Sequence, residues 1–155
     1  TFNPVHGMTR NPWNIARSAA GSSGGSAVAL ATGQAWLATG NDLGGSLRTP
    51  AGFNGVAGLR PSPGIVPRGK RLQPFDTLWV EGPMGRSIAD ISLMLDAGGG
   101  QVISDPLSID THVSSYLAAI KKEKRRSGMP GLVKQKFWWE PRCLLKAMIF
   151  QTYRL

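Results

Sequence analysis

The chain has 155 residues, 41% of them hydrophobic, which is enough for one globular domain with a buried core. Residues 1–120 hold 8 Lys/Arg against 7 Asp/Glu, whereas residues 121–155 hold 10 against 2, so nearly all of the net charge of +9 lies at the C-terminal end. This distribution excludes a basic nucleic-acid footprint over the first 120 residues, and the single cysteine, Cys143, excludes an internal disulfide and a cysteine-based zinc site.

The 20 glycines and 11 prolines favour a loop-rich α/β protein over a helical bundle. Residues 1–20 are expected to be irregular. The small-residue run 24–33 predicts a short helix that ends at its last glycine, and the apolar run 35–39 predicts a short buried strand. After Pro50 we expect a brief helical turn, followed by a short strand over 56–59.

The second half of the chain begins with residues 64–82, which are rich in Pro, Gly and Arg and are expected to run over the surface. A helix is predicted over 87–97, because this segment opens with a Ser-x-x-Asp capping-box pattern and its apolar residues recur on one face. A turn is expected at 105–107, and a further helix is expected to start within 114–120.

Two loops rich in Ser and Gly carry the chemistry that the sequence suggests: the first loop, residues 21–26, and the second loop, residues 42–50. Ser22 and Ser46 lie 24 residues apart, and the neighbouring glycines leave each hydroxyl sterically reachable. Hydroxyls among backbone N–H groups are what acyl transfer uses, since a nucleophile attacks a carbonyl while donors stabilise the oxyanion. Taken alone, the first loop has a simpler explanation as a turn that caps a helix.

Residues 21–25 also match the G-x-S-x-G nucleophile elbow, with Ser23 as the nucleophile. That interpretation is weak, because residues 15–20 supply no apolar strand before the turn and His112 is the only histidine downstream. A phosphate-binding loop is weaker still, because no Gly-Lys-Ser/Thr follows.

Four motifs occur in order along the chain. They are Gly-Ser-Ser-Gly-Gly-Ser-Ala at 21–27, Asp-Leu-Gly-Gly-Ser-Leu-Arg-Thr-Pro-Ala at 42–51, Gly-Leu-Arg-Pro at 58–61 and Gly-Pro-Met-Gly-Arg at 82–86. In this combination the sequence resembles the amidase signature family over residues 1–122. The resemblance implies an α/β amidase signature fold, of which this chain holds part of a mixed β-sheet core flanked by helices, incomplete at both ends.

The resemblance also implies catalytic roles. Ser46 lies where the family has the nucleophile that forms an acyl-enzyme, and Ser22 lies where it has the serine of a cis peptide that relays the proton. The oxyanion hole is expected from four backbone N–H groups, those of Leu43, Gly44, Gly45 and Ser46.

Supporting roles follow for three further residues. Ser23 is expected to support the network by hydrogen bonding, and Asp42 and Arg48 are expected to hold the second loop, with Arg48 as a direct substrate ligand the less favoured role. The family's general base is a lysine upstream of the cis serine, but Lys70 is the first lysine in this sequence. We therefore expect the chain to begin after the lysine-bearing segment and to be inactive alone.

The expected function is that of an amidase that hydrolyses a carboxamide C–N bond through a serine acyl-enzyme, with this chain a partial copy. The alternatives are a fragment of a glutaminase similar to the A subunit of glutamyl-tRNA(Gln) amidotransferase, or a non-catalytic remnant. The expected partner is a small-molecule amide, without cofactor, metal or nucleic acid for the core, and the full-length parent is expected to form a homodimer. No apolar run approaches the ~20 residues of a membrane span, and the cytoplasm is the expected compartment.

Residues 123–155 differ from the rest in being basic and aromatic, with Lys124-Arg125-Arg126 at the start and Phe137-Trp138-Trp139 further on. We interpret them as a tail that is disordered or that arises from a reading-frame shift. A frame shift predicts family-like sequence in another frame of the locus. Binding to nucleic acid or to an anionic membrane surface is the alternative.

Overall fold

A computed structural model describes the backbone of residues 1–69 and 72–127, and the side chains of that part up to Lys122. The helices and strands, in chain order, are β1 (Phe2–Asn3), β2 (Gly7–Met8), α1 (Gly24–Ala31), β3 (Leu37–Asp42), α2 (Arg48–Asn54), β4 (Ala57–Gly58), β5 (Val80–Gly85), α3 (Ile88–Gly98) and α4 (Tyr116–Ser127). This mixture confirms the predicted α/β class.

The sheet that carries the fold has the strand order β3-β5-β4, with both pairs antiparallel. β3 pairs with β5 along its whole length, from Leu37 opposite Gly85 to Asp42 opposite Val80. The second loop therefore leaves the sheet at the end where residues 64–79, called the surface excursion below, enter it.

The central strand, β5, was not predicted from the sequence. It contains Gly82 and Pro83, and such residues usually argue against a strand inside a sheet. Pro83 is tolerated because its carbonyl accepts from the Leu59 N–H at 3.1 Å, so its missing N–H faces the short strand β4 and not β3. Gly82 is required by crowding, since a Cβ there would lie 2.4 Å from the Leu59 carbonyl oxygen.

Two other expectations for the first half were wrong. Residues 1–20 are not wholly irregular, because β1 and β2 form a short antiparallel hairpin. The strand predicted as buried over 35–39 is instead β3, at the sheet edge, and the preceding Trp36 is 79% exposed. An apolar run marks a strand but does not reveal whether its outer edge is covered.

The helix predicted over 24–33 is α1, which ends before Gly33, a residue with φ of +75°. The helical turn predicted after Pro50 begins earlier, as α2 at Arg48. These two helices pack on the sheet around a core cluster whose members are Ala27, Leu30, Leu47, Ala51, Val56 and Met84. Leu47 follows the predicted nucleophile directly, so burial of its side chain fixes that end of the second loop.

The helix predicted over 87–97 is α3, and its capping box is confirmed. Ser87 accepts from the Asp90 N–H at 3.2 Å, and Asp90 accepts from the Ser87 N–H at 2.8 Å. α3 packs with the excursion in a second cluster made of Leu59, Ile65, Ile91 and Leu95.

α4 is the helix expected to start within 114–120. Its first turn is held by Asp96 of α3, which accepts from the Tyr116 N–H at 2.6 Å and from the Ser115 hydroxyl at 2.8 Å. α4 runs through the expected boundary between residues 122 and 123. Residues 128–155, which include most of the predicted tail, lie outside the described residues.

The excursion after β4 is fastened by Arg68. Its backbone N–H donates to Asp105 at 2.8 Å, and its guanidinium lies 3.7 Å from the centre of the Trp79 ring and 3.3 Å from a Glu81 carboxylate oxygen. Ser108 donates its backbone N–H to the Asp105 carbonyl at 3.0 Å, which closes the turn expected at 105–107. Within residues 1–69 and 72–127, no helix is long and apolar enough to cross a membrane.

Candidate active site

The first loop leads into α1 through an unusual backbone. The Gly21–Ser22 peptide bond is cis, at the position where the family resemblance places one. Ser22 is exposed and Ser23 half-buried. Ser23 occupies the N-cap position of α1, but its hydroxyl makes no capping bond to that helix and is available for contacts elsewhere.

The two loops touch each other. The Ser23 N–H donates to the Ser46 carbonyl at 3.2 Å, although the residues are far apart in sequence. Ser46 itself is half-buried at the start of the turn into α2. The structure therefore brings together the two segments that carry the predicted relay and the predicted nucleophile.

Serine hydroxyls occupy the outer edge of β3, next to the second loop. Ser23 Oγ accepts from the Asn41 N–H at 3.3 Å and donates to the Asn41 carbonyl at 3.4 Å, and Ser26 Oγ donates to the Thr39 carbonyl at 3.0 Å. These hydroxyls satisfy backbone groups that would otherwise be unpaired at a sheet edge. The first loop is thereby attached to the strand that leads into the second loop.

Gly40 makes this attachment possible. A Cβ at Gly40 would lie 2.5 Å from Ser23 Oγ and 2.8 Å from Leu47 Cδ2. Both distances are far below van der Waals contact. Only glycine therefore lets β3, Ser23 and Leu47 approach as closely as they do.

Asp42 organises the second loop from a fully buried position. One carboxylate oxygen accepts from the Gly45 N–H at 2.7 Å, and the other accepts from the Leu47 N–H at 3.2 Å. The Arg48 guanidinium adds a bidentate contact, with Nε at 2.9 Å and Nη2 at 3.0 Å. Asp42 and Arg48 are thus in direct contact within the second loop.

The ionisation of Asp42 reflects these contacts. Burial by itself would raise the pKa of the carboxyl, but the hydrogen bonds from Arg48, Gly45 and Leu47 outweigh it and lower the pKa to about 2. The side-chain hydrogen bond between Arg48 and Asp42 also raises the pKa of the Arg48 guanidinium. Asp42 is therefore an anion throughout the neutral range.

Gly45 adopts φ of +116°, a backbone conformation that favours glycine. Its N–H donates to Asp42 Oδ1 at 2.7 Å, which differs from the expectation that it would bind an oxyanion. Within residues 1–69 and 72–127, the three other predicted donors, the N–H groups of Leu43, Gly44 and Ser46, have no hydrogen-bond acceptor.

Arg60 is a contact of this network that the sequence did not reveal. Its Nε lies 3.6 Å from Asp42 Oδ1, and its Nη2 donates to the Leu78 carbonyl at 2.7 Å. It therefore links the second loop to the end of the surface excursion. Arg60 lies inside the Gly-Leu-Arg-Pro motif at 58–61, and this motif was the one sequence feature that pointed to a role for it.

A comparison with known proteins agrees with this geometry. The family model described as Amidase matches residues 1–153. The chain belongs to the amidase signature family. The match extends past residue 122, where the resemblance was expected to end.

Individual relatives match a limited part of their own length. The A subunit of the glutamyl-tRNA(Gln) amidotransferase of Rubrobacter xylanophilus is 43% identical over 122 residues, which are 79% of this chain and 25% of that protein. An acylamidase of Rhodococcus erythropolis is 43% identical over 121 residues, 78% of this chain and 25% of that protein. This amidase-family chain thus spans about a quarter of the length of these relatives.

Solved structures give the same fold. A bacterial aryl acylamidase of the amidase signature family superimposes with a TM-score of 0.68 at 37% identity, over 74% of this chain and 24% of that one. The arrangement of α1, the β3–β5 pair and α2 is therefore that of the amidase signature fold.

One further cavity in the described residues holds none of the predicted catalytic groups. An apolar cavity of about 260 Å³ lies between β4, α3 and α4. It is lined by residues such as Ala57, Ile88, Ser92, Tyr116 and Ile120. In residues 1–69 and 72–127, no group of three His, Cys, Asp or Glu side chains is placed to hold a metal ion.

Proposed function

We propose that this site belongs to an amidase that cleaves a carboxamide C–N bond through a serine acyl-enzyme. Ser46 is the nucleophile, and Ser22 relays its proton. The observation that carries the proposal is the hydrogen bond from the Ser23 N–H to the Ser46 carbonyl, which holds the two serine loops together.

The chemistry divides into two steps. Ser46 Oγ attacks the amide carbonyl carbon, its proton passes through Ser22 to the leaving nitrogen, and the C–N bond breaks to release ammonia or an amine. Water then attacks the acyl-enzyme and restores the Ser46 hydroxyl. The developing oxyanion is stabilised by the N–H groups of Leu43, Gly44 and Ser46, while Gly45 is retained by Asp42.

A glutaminase role similar to that of the amidotransferase relative is the second candidate. The two curated relatives described above, the amidotransferase component and the acylamidase, share the same 43% identity with this chain. Both roles use the same serine chemistry and differ in the amide that is cleaved. Glutamine and a simple aliphatic or aryl amide, assayed side by side, distinguish them.

The reactivity of Ser46 can be tested without a general base in the chain. An activated acyl donor such as p-nitrophenyl acetate needs less help with proton transfer than an amide does. After brief reaction and digestion, mass spectrometry is expected to find the acyl group on the peptide that contains Ser46. Ser46→Ala should abolish this adduct, and the matched control Ser104→Ala, which changes an exposed serine elsewhere, should retain it.

Acylation spread equally over exposed serines, or absent from the Ser46 peptide, would contradict the proposal. For amide turnover we expect negligible activity from the 155-residue chain, because no lysine precedes Ser22 in it. The loss of a nucleophile's proton-transfer partner costs roughly two or more powers of ten. Ammonia release that depends on Ser46 would overturn this part.

A further inference from the structure

Asn54, at the C-terminal end of α2, is a fully buried polar side chain outside the predicted site. We propose that Asn54 is a positioning residue that fixes the segment carrying Ser22 to the helix that follows Ser46. The proposal rests on the proposed function in treating these two serines as the reacting pair. The hydrogen bonds on which it depends can be tested by hydrogen exchange, without an activity assay.

The Asn54 amide uses both of its N–H donors. Nδ2 donates to the Ala19 carbonyl at 2.8 Å and to the Pro50 carbonyl at 2.8 Å. The second bond stays within the helix, but the first reaches a residue 35 positions away in sequence. Asn54 Oδ1 has no hydrogen-bond partner among the described residues, so the two donated bonds are what hold this side chain.

Ala19 lies at the entrance to the first loop. It is fully buried, and the next residue, Ala20, has φ of +58°, a conformation that a non-glycine residue adopts only when its surroundings hold it. Gly21 and Ser22 follow at once. Fixing the Ala19 carbonyl therefore fixes the point from which the chain turns toward Ser22.

The other end of this short segment is fixed as well. The Ser23 N–H donates to the Ser46 carbonyl, and Ser46 lies just before the N-terminus of α2, whereas Asn54 lies at its C-terminus. The segment from Ser46 to Asn54, which contains this helix of about 10 Å at 1.5 Å per residue, is thus bonded to residues 19–23 at both of its ends. Ser22 is held between two anchored points.

The end of α2 that carries Asn54 is itself fastened. Trp13 Nε1 donates to the Asn54 carbonyl at 2.9 Å, and Asn11 Nδ2 donates to the Phe53 carbonyl at 2.8 Å. These bonds satisfy carbonyls that a helix leaves unpaired at its C-terminus. They also attach residues 10–13 to the C-terminal end of α2.

The test measures hydrogen exchange of the Ser23 amide in the full chain, by NMR under native conditions. The reference is the Ile91 amide of α3, which donates to the Ser87 carbonyl and belongs to neither loop. Asn54→Ala removes the bond to Ala19, and we expect exchange at Ser23 to accelerate about tenfold relative to Ile91, the effect of one lost net hydrogen bond. Trp13→Phe keeps an aromatic ring but removes the donor to the Asn54 carbonyl, and about threefold is expected.

Ser92→Ala is the matched control. Ser92 is also buried, and its hydroxyl donates to the Ile88 carbonyl within α3, so its loss should not raise exchange at Ser23 relative to Ile91. Equal acceleration at both amides in Asn54→Ala would overturn the proposal, as would a wild-type Ser23 amide that exchanges like a free chain. If Asn54→Ala does not fold, the exchange rate at Ser23 relative to Ile91 in Trp13→Phe tests the proposal instead. Failure of acylation at Ser46 would count against the proposed function and leave this ratio unaffected.

Discussion

The two serine loops meet in one site but are held by different chemistry. The second loop is organised by a buried anion, Asp42, with two arginine guanidinium groups and three backbone N–H groups around it. The first loop is held by neutral hydrogen bonds from Ser23, Ser26 and Asn54. The second loop should therefore respond to charge removal and to acid, whereas the first should respond to shape and to the loss of single hydroxyls.

The two loops also differ in how far their backbones can shift without losing their hydrogen bonds. A buried carboxylate must satisfy all of its lone pairs at once, so the backbone around it has little freedom. A hydroxyl that bridges strand and loop can rotate and tolerate small displacements. We infer that the donors beside Ser46 are the more rigid half of the site, and the Ser22 segment the half that depends on several weak contacts.

The largest effect is expected from Asp42→Ala. This change removes the acceptor for Gly45, Leu47 and Arg48 together and leaves two guanidinium groups without their counter-charge. Breaking a buried pair costs about 3–5 kcal/mol. We expect the lower end, about 3 kcal/mol in the free energy of unfolding by urea, because the Arg48 and Arg60 side chains are partly exposed and can be solvated.

The matched control is Asp110→Ala, which removes a carboxylate 3.6 Å from His112 where both side chains are well exposed. An exposed polar contact of this kind contributes less than about 1 kcal/mol. If both variants lose the same stability, the second loop is not held by a buried anion and the contrast between the loops fails.

A second prediction concerns Gly40, where the two loops are packed against each other. Gly40→Ala places a methyl group against Ser23 Oγ and the Leu47 side chain, and overpacking of this kind costs about 2 kcal/mol. Gly44→Ala is the control, since a Cβ there would meet nothing within 4 Å. Urea unfolding of both variants measures the difference, and an equal loss would show that close approach at Gly40 is not what joins the loops.

The third prediction is the acid sensitivity of the second loop. The pKa of Asp42 is about 2 in the folded state and about 3.9 in an unfolded chain, so protons bind more readily to the unfolded state. The contribution is complete above the unfolded value and is lost as the pH falls through the folded one. Between pH 5 and pH 2.5 we expect a loss of roughly 1.5 kcal/mol.

Asp42→Asn isolates this term, because the amide does not titrate while other carboxyl groups titrate in both proteins. The difference in unfolding free energy between wild type and Asp42→Asn should therefore shrink as the solution is acidified. A difference that stays constant down to pH 2.5 would mean that the Asp42 pKa is not lowered by folding.

The sequence predicts best where the signal is local. The Ser-x-x-Asp pattern at Ser87 predicted the capping box of α3, and the run of small residues predicted α1. The central strand β5 was missed because Gly82 and Pro83 are poor strand formers, and only pairing on both sides makes them a strand.

The supporting contacts of the site are predictable only in part, for the same reason. Asp42 and Arg48 are six residues apart, and a motif can contain both. Arg60, Gly40 and Asn54 act through contacts with Asp42, Ser23 and Ala19, which lie 18, 17 and 35 positions away, and no periodicity or spacing reveals such a contact before the chain is folded. The roles of the individual catalytic residues stay predictions.

The smallest effects are expected from Ser23→Ala and Ser26→Ala, and the first of them gives the sharpest test of the contrast. The variant leaves the Asn41 N–H and carbonyl without their partner, at a cost of about 1 kcal/mol. Ser26→Ala, which loses one bond at a more exposed position, should cost about half as much. Because a hydroxyl does not titrate in this range, the loss should be the same at pH 7 and at pH 3. If the Ser23→Ala loss disappears in acid together with the Asp42 contribution, the two loops form a single charged network and are not held by separate means.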